Sequence, residues 1–293
     1  MAGQTLSTIR SLLARHGLRP QHQFGQNFLI DLNLMRKLVD AADLQASDVI
    51  VEVGPGTGSL TEFLLESGAQ VIAVEIDRGF QELLKQHFAG NPNLHLICGD
   101  ALETKHRLNN HLFKSLRDLA HSHGGIRKLV ANLPYQIATP LMLELLIQDE
   151  LPFERLVCTI QREMADRLLA KVNTEQYGPA AVITQTFARI ELLATLPPGA
   201  FWPPPNVASA FVRLVTFPDP PLASDERAPF AAFVQRGFQQ RRKMLRGSMR
   251  DWGIDDPEAI LAYGGFSELA RPEQIAPSGW LALHRLCRPP SQA

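Results

Sequence analysis

Short apolar runs alternate with amphipathic stretches from Val49 to about Phe217, and this alternation predicts strand–helix units around a parallel sheet. The runs Val49–Val53, Gln70–Glu75, Leu94–Cys98, Lys128–Ala131 and Arg155–Ile160 are almost continuously apolar, as strands covered on both faces must be. Between them, Leu60–Glu66, Phe80–Phe88 and Thr139–Ile147 carry apolar residues at helical spacing. Asn91-Pro92-Asn93 and Gly124-Gly125 punctuate loops. Residues 103–127 are polar, rich in histidine and weakly periodic, and they read as a helix-containing excursion between two strands.

Beyond Ile160 the pattern changes. Gln161–Lys171 and Pro179–Thr186 predict helices, and Ile190–Leu196 a strand. A proline-rich corner at Phe201–Pro205 follows, and then Ser209–Phe217, a returning strand close enough to pair antiparallel with its predecessor. Pro218, Pro220 and Pro221 form a linker. From Ala223 onward, short helices are separated by Gly253, Gly264-Gly265 and Pro272. The expected organisation is an N-terminal arm over 1–26, an α/β domain over 27–218 and a small helical domain over 223–293, without internal repeats.

Composition narrows the class. At 45% hydrophobic and 20% charged residues, the 293-residue chain holds material for a substantial core. Cys98, Cys158 and Cys287 lie far apart with neither metal-ligand nor redox spacing, which points to a reduced compartment. No apolar run approaches the roughly 18 residues of a membrane span, and Met1–Pro20 has no apolar stretch before a cleavage-like site. The expectation is a cytoplasmic protein without a membrane partner. The nine histidines form no ligand set with carboxylates or cysteines, so no metal is expected. The net charge of −1 conceals an asymmetry: Arg227, Arg236, Arg241, Arg242, Lys243, Arg246 and Arg250 fall in a segment with no acidic residue. Such a local basic stripe matters more for phosphate contact than the global balance.

The chemistry begins at Glu52-Val53-Gly54-Pro55-Gly56-Thr57-Gly58. Glycines between a strand and a helix allow a tight turn and close approach of the backbone to a ligand. The dinucleotide fingerprint wants its third glycine one position later, where this chain has Ser59. That favours the shorter loop of S-adenosylmethionine enzymes over NAD. Glu75 ends the second strand, 21 residues after Gly54, where a carboxylate can accept both hydroxyls of a ribose. Asp100 follows the third strand, placed to meet the exocyclic amine of an adenine.

The second motif, Asn132-Leu133-Pro134-Tyr135, follows the fourth strand. The Asn132 side-chain carbonyl and the Leu133 backbone carbonyl are two acceptors for the two hydrogens of an aromatic amine. Holding both pulls the amine out of plane and aims its lone pair at an electrophilic carbon, a matter of orientation and polar preorganisation. Pro134 stiffens the turn. Tyr135 offers a face for base stacking, and Phe201, beside Pro203-Pro204-Pro205, is a second stacking candidate for a flipped base.

Together these residues resemble those of the small-subunit (16S) ribosomal RNA adenine N6-dimethyltransferases of the KsgA type, over roughly Gln21 to Arg285. Gln23-Phe24-Gly25-Gln26-Asn27-Phe28-Leu29 is similar to the family's entry motif, which implies that Asn27 and Leu29 touch S-adenosylmethionine. Phe201-x-Pro203-Pro204-Pro205-x-Val207-x-Ser209 resembles a second family motif, and Phe238-Gln239-Gln240-Arg241-Arg242-Lys243 its arginine-rich segment. The resemblance implies a class I, Rossmann-like methyltransferase sheet with a small C-terminal helical, RNA-binding domain. It implies a cofactor site at Asn27, Leu29, Gly54, Gly56, Glu75, Asp100 and Asn132, and target-base chemistry at Asn132 to Tyr135 with Phe201. RNA contacts are expected at Arg241, Arg242, Lys243 and Arg246. The implied activity is dimethylation of N6 on two adjacent adenines near the 3′ end of small-subunit rRNA, by a monomer acting on a pre-assembled ribosomal subunit. Two alternatives stay open: a large-subunit (23S) rRNA methyltransferase of the macrolide-resistance type, and a non-catalytic RNA- or DNA-binding assembly or transcription factor.

Overall fold

The computed structural model describes residues 3–21, 25–104, 107–148 and 150–287. Gln23 and Phe24 of the entry motif, and His22 and His106, lie outside them. Contacts divide the chain into two compact units. The first comprises the residues through Ala165 together with Ile190–Thr216; the second comprises Asp166–Arg189 and the residues from Phe217 onward.

In the first unit the chain runs α1 (Leu6–Arg15), β1 (Phe28–Leu29), α2 (Leu32–Ala42), β2 (Val49–Val53), α3 (Ser59–Glu66), β3 (Gln70–Glu75), α4 (Arg78–His87) and β4 (Leu94–Cys98). It continues through β5 (Leu102–Thr104), β6 (Arg107–Leu108), α5 (Asn110–His123), β7 (Arg127–Asn132), α6 (Tyr135–Ile147), β8 (Phe153–Gln161) and α7 (Arg162–Leu168). After α8 (Pro179–Phe187) come β9 (Ala188–Leu196), β10 (Phe201–Trp202) and β11 (Ser209–Thr216). A seven-stranded sheet has the order β4-β3-β2-β7-β8-β11-β9. Neighbours from β4 to β8 run parallel, and β11 returns antiparallel to β8 with Ser209 opposite Gln161. Strand order reverses between β2 and β7, and the carboxyl ends of strands at such a reversal are where open α/β sheets bind ligands.

The central strands are legible because both of their faces are covered. Every residue of β2 and β3 is buried, and the continuous apolar runs follow. The excursion at 103–127 resolves into a short β5–β6 pair and then α5. Asn109 caps that helix by accepting the His111 amide at 2.8 Å, and Gly124 ends it in the left-handed region. Only Leu112 and Leu116 of α5 are buried, so the helix presents a polar, weakly periodic sequence. The segment before Val49 also departs from expectation. Residues of the expected N-terminal arm form α1, whose Ile9, Leu12 and Leu13 pack in one cluster with Phe28, Phe80 and Leu83. Gln161, expected to begin a helix, is claimed instead by β8 through its pairing with Ser209.

The second unit takes in α8 with α9 (Ser224–Phe238), α10 (Leu245–Asp251), α11 (Pro257–Tyr263) and α12 (Pro277–Leu286). The boundaries differ from the expected 27–218 and 223–293 division because Asp166–Arg189 makes its contacts here. Phe187 meets Phe230 edge-on with ring centroids 6.0 Å apart. The Tyr177 hydroxyl donates to the Ile275 carbonyl at 2.8 Å. Trp280, fully buried, lies against Gly237, where even a methyl group would stand 2.3 Å from its ring.

Candidate active site

The loop from β2 to α3 carries glycine at 54 and 56 because a side chain would not fit at either position. Gly54 (φ +74°) faces the Pro134 ring, 3.2 Å from where a Cβ would stand. At Gly56 (φ +56°) a Cβ would come within 2.7 Å of the Phe28 ring. L-residues rarely adopt either backbone conformation. The loop is thereby brought against both the entry segment and the Asn132–Tyr135 segment. One cleft is lined by Asn27, Gly54, Gly56, Glu75, Asp100, Asn132 and Pro134, all singled out in the sequence, together with Phe28, Ile76 and Ile137. Leu29, expected to touch cofactor, lines a smaller adjoining cavity instead, with Glu52, Met35 and Asn132.

Glu75 is buried at the end of β3. One of its oxygens accepts the Gly56 amide at 3.0 Å and the other the Asp77 amide at 2.9 Å. The Ile76 amide also acts on the carboxylate, and a carboxylate has about four lone-pair directions in all. Burial raises the carboxyl above its ordinary pKa, and the Asp77 and Gly56 amides pull it back. Asp100 is exposed on the same cleft, with Oδ1 held by the Leu102 amide at 3.0 Å.

Asn132 ends β7, and its Nδ2 donates to the backbone carbonyl of Asn27 at 2.8 Å. That bond fixes which end of the amide is which: one N–H of Nδ2 is held by Asn27, so Oδ1 is the acceptor end. Leu133, buried, ties its amide to the Thr159 carbonyl at 3.2 Å, and its own peptide carbonyl takes no described backbone donor. Tyr135 opens α6, and its hydroxyl shares a 2.6 Å hydrogen bond with buried Ser209. Burial raises the phenol's pKa, with Ser209 opposing.

The second stacking candidate is a correction. Phe201 is 2% exposed and packs among Leu29, Leu196 and Phe211. Its strand, β10, pairs with β1, with Leu29 opposite Phe201. An aromatic flanked by prolines resembles a platform in sequence; here the same ring closes the core beneath the entry strand, and Ser209 is what the motif brings to Tyr135.

Glu52 received no role from its sequence position. It is 2% exposed, with its Oε2 accepting the Thr61 hydroxyl at 2.6 Å. Burial drives its carboxyl up to about 8; the Thr61 bond opposes this and the nearby Glu75 charge adds to it. The available signal was a carboxylate inside a strand otherwise made of Val and Ile. Among the described residues, the titratable groups lining this region, Glu52, Glu75 and Asp100, are all carboxyls, and none is basic. Buried acceptors for hydroxyls, glycines that open the loop backbone and the absence of a lining cation among those residues fit a cationic, ribose-bearing S-adenosylmethionine.

The basic residues of the second unit separate into two groups. The Arg241 guanidinium donates to the carbonyls of Glu175 at 2.6 Å and Thr174 at 2.9 Å. Arg246 pairs with Glu268 at 3.4 Å and Glu258 at 3.6 Å, Arg250 also reaches Glu258, and Arg236 lies over the Trp252 ring. Arg242 and Lys243 are exposed and have no described partner. The charge run is therefore no uniform stripe: Arg241 and Arg246 are engaged within the fold, and the adjacent pair is available.

A family model described as ribosomal RNA adenine dimethylase matches residues 17–261. The ribosomal RNA small subunit methyltransferase A of Phenylobacterium zucineum (strain HLK1) is 40% identical over 284 residues, 97% of this chain and 93% of the relative. That of Paracoccus denitrificans (strain Pd 1222) is 41% identical over 286 residues, 96% and 95%. Among solved structures, a dimethyladenosine transferase from Plasmodium falciparum aligns with TM-score 0.66 and 22% identity over 86% of this chain and 94% of that one. The 23S rRNA methyltransferase ErmE aligns with TM-score 0.62 and 24% identity over 89% and 99%. At those identities the structures show the shared fold. No described helix is long and apolar enough to cross a membrane. With a family match over most of its length and near full-length relatives at 40% identity, the chain belongs to the ribosomal RNA adenine dimethylases, S-adenosylmethionine-dependent enzymes.

Proposed function

We propose that this chain dimethylates N6 of two adjacent adenines near the 3′ end of small-subunit (16S) rRNA, in a partly assembled subunit, as a cytoplasmic monomer. The observation that carries the reading is the Asn132 amide, oriented by the Asn27 carbonyl at the rim of a carboxyl-lined cleft. The relatives matching almost the whole chain are named for the small subunit, which supports that target over the large one.

S-adenosylmethionine, when bound, supplies a methyl group on a sulfonium cation. Glu75 is the acceptor for ribose hydroxyls, Asp100 for an adenine amine, and the glycine loop lets backbone approach closely. Asn132 Oδ1 and the Leu133 carbonyl accept the two hydrogens of the target amine. With both held, the nitrogen lone pair leaves conjugation with the ring, and the amine is fixed in a reactive orientation. No general base is required, because a positively charged methylated amine releases its proton readily. Tyr135, tethered by Ser209, presents its ring to a base taken out of its stack, a contact worth about 1–3 kcal/mol. In the second round one hydrogen remains for two acceptors, so one acceptor falls idle and the base must reseat. Arg242 and Lys243 supply phosphate contacts.

The test is transfer of labelled methyl to undermethylated small subunits, with large subunits and duplex DNA in parallel, followed by digestion to nucleosides. Dimethyladenosine from small subunits alone is the expected product. Label in large subunits moves the enzyme to the macrolide-resistance type. No label, with cofactor still bound, leaves a binding role on the same fold.

A further inference from the structure

The residues just ahead of α1 dock on the outer side of the glycine loop, away from any role the sequence suggested for them. The Gln4 backbone amide donates to Ser59 Oγ at 2.9 Å. Gln4 Nε2 donates to the Thr57 carbonyl and to Glu62 Oε1, each at 2.9 Å. The Gly3 amide adds a 2.9 Å bond to the other Glu62 oxygen. Gln4 is 3% exposed, and its own Oε1 is enclosed without a hydrogen-bond partner. An enclosed oxygen left unsatisfied is unfavourable, so what holds this side chain in place is its donor end, and that end grips the loop.

The gripped carbonyl matters because of where it sits. Thr57 follows Gly56, whose amide reaches Glu75 on the cleft side, and precedes Gly58, which starts α3 without any side-chain cap. The Gly58 amide of the Thr57–Gly58 peptide donates to the Pro55 carbonyl at 2.9 Å, which holds one edge of the peptide; its carbonyl edge needs a donor as well. Gln4 is the donor that binds that edge. A second anchor comes from α1, whose Ile9, Leu12 and Leu13 pack with Phe28, the ring that abuts Gly56.

We infer that Gln4 is a positioning residue for the cofactor loop: it fixes the Thr57–Gly58 peptide from outside, so that the loop meets S-adenosylmethionine already in its binding conformation. This rests on the reading of the cleft as the S-adenosylmethionine site. The contribution belongs to affinity through preorganisation and leaves the reacting groups untouched.

The experiment measures S-adenosylhomocysteine affinity by calorimetry and melting temperature for the full chain and for Gln4→Glu, Ser59→Ala and Glu62→Gln. Gln4→Glu keeps the shape and loses the donor to both Thr57 and Glu62; the loss at Thr57 should weaken affinity by about fivefold or more. Ser59→Ala, which removes the acceptor for the Gln4 backbone amide together with a contact to Met35 Sδ, should weaken it less and serves if Gln4→Glu does not fold. Glu62→Gln loosens the docking while sparing the Thr57 bond, so it should lower the melting temperature with affinity within about twofold. The kcat at saturating cofactor should stay near the parent value in Gln4→Glu while KM for S-adenosylmethionine rises. Parent-like affinity in Gln4→Glu and Ser59→Ala, or an equal loss in Glu62→Gln, overturns the inference. A parent chain that binds no S-adenosylhomocysteine overturns the assignment of the cleft itself.

Discussion

At the scale of single residues, the site works by committing one end of each polar group so that the other end has a defined character. Asn132 gives one N–H to Asn27 and keeps a carbonyl; the Glu75 oxygens are held by backbone amides, Gly56 on one and Asp77 on the other. Asn132→Ala should lower kcat by about 10²–10³, the scale of losing one preorganised polar group. Asn132→Asp keeps acceptors but sets a carboxylate against the Asn27 carbonyl, so it should fall nearly as far; methyl transfer close to the parent rate would show that amide orientation is unimportant. Glu75→Ala should weaken S-adenosylmethionine binding, read by calorimetry, and unchanged affinity would remove its ribose role. Glu52 yields a pH dependence of stability. The folded carboxyl keeps its proton to about pH 8, whereas the unfolded chain releases it near the ordinary 4.5. Across that window the folded state binds more protons, so stability falls as pH rises, by at most about 1.4 kcal/mol per unit. Thermal melts from pH 5 to 9 should show this slope in the parent and its loss in Glu52→Gln, with no further change from this group above about pH 8.

At the scale of elements, what the sequence revealed depended on how much of each element is covered. The strands β2, β3 and β4 match their expected bounds residue for residue; for β2 and β3, burial of every residue leaves little freedom in composition, while β4, half-buried, keeps an apolar run. Helix α5, with two buried leucines, shows little pattern. The helices α1 and α2 lie ahead of the first long apolar run and are not evident from it, although Asp31 accepts the amides of Asn33 and Leu34, a capping signal present in the sequence. The residues that line the cleft were legible because they sit at strand ends with fixed spacing, whereas the burial of Phe201 depends on a β1–β10 pairing between segments too short to recognise. The glycine loop allows a sharper test. Gly56→Ala adds a methyl group into the Phe28 ring at a left-handed position, which should destabilise the fold by about 1–2 kcal/mol for the backbone alone and weaken cofactor binding; an unchanged melting temperature would mean that the loop and β1 move apart freely.

For the whole molecule, a net charge of −1 leaves nucleic-acid affinity to local groups. Neutralising Arg242 and Lys243 should reduce RNA affinity and lower the magnitude of the salt slope by about 1.4, at roughly 0.7 per phosphate contact on single strands. Arg241→Ala should lower the melting temperature, since the Thr174 and Glu175 carbonyls lose their donor, and leave that slope nearly unchanged. A slope that moves with Arg241 and not with the neighbouring pair would reverse the division of labour. Composition revealed the basic segment; only the positions of Glu258 and Glu268 reveal that Arg246 is neutralised in place.

The partner that orients Asn132 is a main-chain oxygen, 105 positions earlier in the chain. Every amino acid carries that oxygen, so no exchange of the side chain at position 27 deletes it. The orientation of the Asn132 amide is thus insulated from point mutation on one side of the bond and fully exposed to it on the other. Sequence drift at position 27 can alter the lining of the cleft while the amide opposite stays turned as it is. Only a shift of the backbone, such as an insertion between Gly25 and Phe28, reaches it, and such a change would present N–H groups to an amine that has only N–H groups to offer.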